Sequence, residues 1–167
     1  MKIKKLILSS ILVTVLHFSP VLAETISGEV IKVPDGDTIT IVDSANRKHR
    51  VRFLGIDAPE KNQASGQACG RSLSDKIYGE TVKVKYDKKD RYGRILGTVY
   101  LGDRNVNLEQ VTEGCAWYYW HYARDVERAL RNAYAEAESE AQSKRLGLWK
   151  KSDPVPPWEF RKQQRNR

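Results

Sequence analysis

The sequence predicts an α+β domain, and three observations carry that reading. Strand-like segments that alternate apolar and polar residues come as a cluster of three and then a pair. Segments with helical spacing lie between the two clusters and after them. With the first 23 of the 167 residues set aside, 144 remain, a natural size for one domain with one core.

Residues 1–23 read as a signal peptide that is removed. Met1-Lys2-Ile3-Lys4-Lys5 is basic, Leu6 to Phe18 is apolar, and Val21-Leu22-Ala23 offers a small-residue cleavage site before Glu24. The apolar run is short for a bilayer span and is interrupted by Ser9, Ser10 and His17. The expectation is an exported protein, periplasmic or secreted, with no membrane attachment after cleavage. The segment takes three lysines and no acids with it, so the net charge falls from +8 to +5. A basic chain suits a polyanionic partner. Cys69 and Cys115 allow one intramolecular pairing, and their C-x45-C spacing without a neighbouring His gives no zinc pattern. In an oxidising compartment the expectation is a Cys69–Cys115 disulfide.

From Glu24 to about residue 150 the elements follow in order. Thr25 to Val33 and Thr38 to Val42 alternate and are rich in β-branched residues, so both read as strands, with Gly36 in the bend between them. After the Ser44-Ala45-Asn46 turn, Lys48 to Ile56 returns with Val51, Phe53 and Leu54 as core candidates. Gly66 to Tyr78 spaces Ala68, Leu73 and Ile77 as a helix stopped by Gly79. Thr81 to Tyr86 is the cleanest alternation, with lysines on its outward face, and Ile95 to Leu101 is the next strand. Leu108 to Glu113 is a short helix ended by Gly114. With Asp125 as N-cap, Val126, Leu130, Tyr134, Ala137 and Ala141 recur at helical spacing. Residues 151–167 form a Pro-rich and then basic tail, in which Pro154, Pro156 and Pro157 rule out helix.

The chemistry concentrates in three short blocks. Asp35-Gly36-Asp37-Thr38 precedes a strand, Asp57-Ala58-Pro59-Glu60 ends one that carries Arg52, and Asp90-Arg91-Tyr92-Gly93-Arg94 joins the last two strands. Carboxylates at strand ends can hold a hard divalent cation through oxygen, Ca²⁺ or Mg²⁺ rather than zinc. Arginine forks bind phosphate bidentately. Acids beside Arg52 and Arg94 in a basic chain therefore point to phosphodiester chemistry. The run Trp117-Tyr118-Tyr119-Trp120-His121-Tyr122 adds faces on which bases can stack, with alternate members turned inward.

Val33 to Thr38, Val51 to Glu60 and Asp90 to Arg94 together resemble the thermonuclease (staphylococcal nuclease) family, in order and in spacing, and the resemblance runs from about Thr25 to Trp149. It implies a five-stranded OB-like β-barrel with three α-helices. It implies one Ca²⁺ ion held by Asp37, Asp57 and the carbonyl of Ala58, where alanine replaces the family's usual threonine. Glu60 becomes the carboxylate that orients or deprotonates the attacking water, and Arg52 and Arg94 the phosphate clamps. Arg91, Tyr92, Trp120 and Tyr122 become substrate contacts, with Trp120 in place of a family tyrosine. Asp35 is left between capping the Gly36 bend and supporting the metal. The implied activity is that of a monomer cutting DNA and RNA at the 5′-O–P bond to leave 3′-phosphate ends. Two rivals are a non-catalytic OB-fold nucleic-acid-binding module and an extracellular calcium-binding structural protein. The first should lack one of the acids or arginines, and the second leaves Arg52, Arg94 and the aromatic run unexplained.

Overall fold

In the computed structural model, which describes residues 24–166, the first three strands are β1 (Glu24–Lys32), β2 (Thr38–Val42) and β3 (Lys48–Phe53). They are followed by β4 (Ile56–Asp57), helix α1 (Gly66–Ile77), β5 (Thr81–Lys89), β6 (Ile95–Leu101) and β7 (Arg104–Asn105). Helix α2 (Val106–Thr112), β8 (Trp117–Tyr118), α3 (Arg128–Ser143) and α4 (Pro157–Arg165) complete the described chain. The segment read as a signal peptide lies outside the described residues.

The sheet runs β3-β2-β1-β5-β6, and a parallel pairing of β3 with β6, Val51 opposite Ile95, closes it into a five-stranded barrel. Closure needs strong bending, which irregularities between Val30 and Lys32 in β1 and between Tyr86 and Lys88 in β5 supply. Alternation then fills the interior. Val30, Ile39, Ile41, Val51, Phe53, Val82, Val84, Ile95 and Val99 are all buried, while Lys83 and Lys85 face outward. Leu73 and Ile77 of α1 and Tyr134 of α3 cap this core. A disulfide joins Cys69 in α1 to Cys115 beyond α2, with Cα atoms 5.1 Å apart. The short β4 pairs with β8 as a separate two-stranded ribbon.

Three local expectations need correcting. The aromatic run is extended only at Trp117–Tyr118; Trp120–Asp125 is a 3₁₀ turn. Helix α3 accordingly starts at Arg128, and Asp125, instead of capping it, pairs with Lys88 at 2.5 Å. Most consequentially, the tail contains a fourth helix. Pro156 is its N-cap and Pro157 its first residue, where the missing N–H would have had no intrahelical partner. Trp158 then stacks on Tyr119 at 5.1 Å and meets the edge of Trp117.

Candidate active site

Asp37 closes the loop between β1 and β2. Its carbonyl accepts the Phe53 amide at 2.8 Å, which fixes the loop against β3. Asp35 accepts the Asp37 amide at 3.2 Å and so shapes the bend. The glycine between them is required by space: a Cβ on Gly36 would lie 2.9 Å from the Ala58 Cβ. The close approach brings the two acidic blocks together, and the Ala58 amide donates to Asp37 Oδ2. Asp57, in the ribbon opposite Trp117, is fully buried.

Arg52 joins the two aspartates. Its Nη1 lies 2.5 Å from Asp37 Oδ2 and its Nη2 2.5 Å from Asp57 Oδ1. Burial pushes the Asp37 carboxyl well above the usual carboxylate range; the Arg52 charge and the Ala58 amide oppose this, and the charges of Asp35 and Asp57 add to it. Burial alone would lower the Arg52 pKa, but Asp37 and Asp57 outweigh it and raise it.

A second cation completes the cluster. Arg161 of α4 places Nη2 2.8 Å from Asp57 Oδ2, and Nη1 2.8 Å from Glu60 Oε1 and 3.2 Å from Asp57 Oδ1. Glu60 itself is positioned by Gln63, which accepts the Glu60 amide at 3.1 Å through its side chain and donates its own amide to the Glu60 carbonyl at 2.8 Å. Nothing larger than glycine fits at position 66, where a Cβ would fall 1.9 Å from that same carbonyl.

On the other face of Arg52 lies a cleft of about 460 Å³. Arg52, Lys88, Arg91, Tyr92, Arg94, Tyr119 and Tyr122 line it. The β5–β6 hairpin shapes one wall. Asp90 accepts the amides of Tyr92 and Arg94 at 2.9 Å each and the Arg94 Nε at 2.7 Å, and Gly93 turns the chain at φ +74°. Burial of the Asp90 carboxyl works against ionisation, but these hydrogen bonds outweigh it and hold its pKa below the usual range. The Arg91 and Arg94 guanidiniums lie 4.9 Å and 5.5 Å from the Tyr92 ring centre. The cleft is thus walled by cations and aromatic faces, with Arg52 as the partition between it and the carboxylates.

The fold therefore brings Arg52, Arg91, Tyr92, Arg94 and Tyr122 to one cleft and Asp37, Asp57, Ala58 and Glu60 to its neighbour. Trp120 is placed elsewhere. It is 60% exposed, stacks on His121 at 3.7 Å and does not line the cleft; Tyr119 lines it instead. The 3₁₀ turn is the cause, because it breaks the strand alternation that would have put Trp120 and Tyr122 on one face. Arg161 and Tyr119 were missed in the sequence. The spacing of Arg161, about one helical turn after Pro157 and Trp158, was the available signal for the first.

The carboxylates offer only oxygen donors, which suits a hard cation in kind. Among the described residues, however, no three His, Cys, Asp or Glu side chains converge on one point, and both Asp57 oxygens and one Glu60 oxygen are turned to Arg161.

Comparison with known proteins agrees with this geometry. A family model described as staphylococcal nuclease homologue matches residues 50–151. An Escherichia coli protein named "uncharacterized endonuclease" is 45% identical over 144 residues, 85% of this chain and 89% of its own length. A Haemophilus influenzae protein of the same name is 38% identical over 162 residues, covering 97% of this chain and 88% of that protein. A Shigella flexneri protein named "micrococcal nuclease" is 38% identical over 149 residues, 83% of this chain and 82% of its own. With the barrel, the paired acidic blocks and the arginine-lined cleft in place, the chain belongs to the staphylococcal nuclease homologue family, a family of nucleases.

Proposed function

We propose that this protein is an exported, Ca²⁺-dependent, monomeric nuclease that hydrolyses DNA and RNA at the 5′-O–P bond and leaves 3′-phosphate ends. The observation that carries the reading is Arg52, salt-bridged to Asp37 and Asp57 on one side and lining the Arg94–Tyr92 cleft on the other. A phosphate in that cleft meets the guanidiniums of Arg52 from β3 and Arg94 from the β5–β6 turn, while its neighbouring base has Tyr92, Tyr119 or Tyr122 to stack on. Lys88 and Arg91 add charge that attracts the backbone without reading its sequence.

In this reading Asp37, Asp57 and the Ala58 carbonyl would hold the ion, which would supply Lewis acidity there. Glu60, on its Gln63-braced loop, orients the attacking water for in-line attack and accepts its proton. Orientation of the water carries much of its effect, because the contribution of a general base depends on its geometry first. Arg52 and Arg94 neutralise the charge that accumulates on the phosphoryl oxygens as the 5′-oxygen leaves.

Export is supported by the basic and apolar pattern of residues 1–23 and by the Cys69–Cys115 disulfide, which suits an oxidising compartment. The experiment is to incubate purified protein with plasmid DNA and with RNA, with Ca²⁺ and with excess chelator. Cleavage of both that stops with chelator supports the reading. Retention of nucleic acid without cleavage would favour a binding module, and cleavage that persists with chelator would remove the metal.

A further inference from the structure

The geometry points to Arg161 as a built-in counter-cation: the C-terminal helix seats its guanidinium on the same carboxylates that a divalent cation would take, so cation binding has to displace it. This rests on the metal site of the proposed function and adds a regulatory element to it.

Arg161 reaches both oxygens of Asp57 and one of Glu60. Arg52 shares Asp57 Oδ1 and holds Asp37 Oδ2, but its side chain is only 14% exposed, so Arg161, the only one of the two arginines on Asp57 Oδ2, is the one that can withdraw to solvent. A guanidinium fork and a divalent ion cannot share the two Asp57 oxygens, because like charges within a few ångströms repel strongly where little water screens them.

The helix is held in place independently of this ion pair. Pro157 is buried, Trp158 is stacked on Tyr119, and the Gln63 side-chain amide donates to the Val155 carbonyl at 2.5 Å. Gln63 also braces Glu60, so the approach to α4 and the Glu60 loop are tied through one side chain. Arg161 follows Trp158 by three residues and Pro157 by four, which places all three on one helix face. Its side chain is 37% exposed while Asp57 is fully buried, so the guanidinium reaches inward from the surface and has solvent to return to.

The consequence is a threshold. A site whose competent form is only fractionally populated binds with its affinity reduced by that fraction. The C-terminal helix would then set the cation concentration at which the acidic cluster fills.

Calorimetric titration of CaCl₂ into purified wild type, Arg161→Gln and Arg161→Lys, without nucleic acid, tests this. Arg161→Gln is expected to bind Ca²⁺ about tenfold more tightly than wild type, by release from that competition. Arg161→Lys is expected to fall between them, because lysine keeps the charge and loses the fork. The rise in thermal midpoint on adding Ca²⁺ should follow the same order. Equal or weaker binding by a folded Arg161→Gln would overturn the inference and leave the metal site standing. Should that variant not fold, Arg161→Lys decides alone, with tighter binding in favour and equal or weaker binding against. Absence of binding by all three proteins would sink the metal site and the inference with it.

Discussion

Arg52 has two obligations that no other residue type meets together. It neutralises two buried carboxylates and still presents a face to the cleft. Lysine could satisfy one partner but not straddle both, since it supplies a point charge rather than a planar fork. Arg52→Lys should therefore lose stability as well as activity, and it separates the two roles poorly. Arg94 separates them better, because its ion pair among the described residues is to Asp90 on its own hairpin rather than to the core. Arg94→Lys keeps the net charge and most of the attraction for DNA. Losing hydrogen bonds made in the transition state typically costs about 3 to 4 kcal/mol, or about 10² to 10³ in kcat. The expected outcome is that loss, with circular dichroism and Tm near wild type. A kcat within about threefold of wild type would take Arg94 out of the reaction.

At the scale of elements, the β5–β6 hairpin converts a turn into half of a binding site. Asp90 fixes both the turn amides and the Arg94 side chain, so Asp90→Asn should lower kcat while leaving the barrel folded. It also gives a pH signature. The folded-state pKa of Asp90 is depressed, so its stabilising contribution is present above the unfolded carboxylate value of about 3.9 and fades as pH falls through the folded value. The Tm gap between wild type and Asp90→Asn should accordingly narrow below about pH 4; a gap constant across that range would deny Asp90 its ionised role. The barrel strands were legible in the sequence where one face is buried, and burial writes itself as alternation most clearly in Thr81–Lys89. The positions of Asp37, Asp57 and Glu60 at strand ends and in the loop after them were legible for the same reason. Helix α4 was not, since its prolines fall at the two helix positions that tolerate them and its mean composition is polar. Trp120 misled because six aromatic residues in a row carry no period that separates a strand from a 3₁₀ turn.

For the molecule as a whole, two features outside the barrel bind the site together: the disulfide, which ties α1 to the segment entering β8, and α4, which covers that ribbon. Among the described residues no helix is long and apolar enough to cross a membrane. Cross-linking residues 46 apart removes unfolded-state entropy equivalent to about 4 kcal/mol on the chain-entropy model. Replacing both Cys69 and Cys115 by Ser should lower the denaturant midpoint with the slope little changed, and no loss would mean that the crosslink constrains little. The central claim is that the carboxylate side of Arg52 activates the attacking water, while the cleft side holds the nucleic acid and its arginines stabilise the phosphoryl charge. Glu60→Gln tests it most directly, because it removes one carboxylate charge at constant shape, away from the cleft lining. Single-turnover cleavage of an end-labelled oligonucleotide should be measured beside its Kd for wild type and the variant. The expected result is a rate lower by about 10² or more with Kd within about threefold. A rate near that of wild type, or affinity and rate falling in parallel, would contradict the division of labour across Arg52.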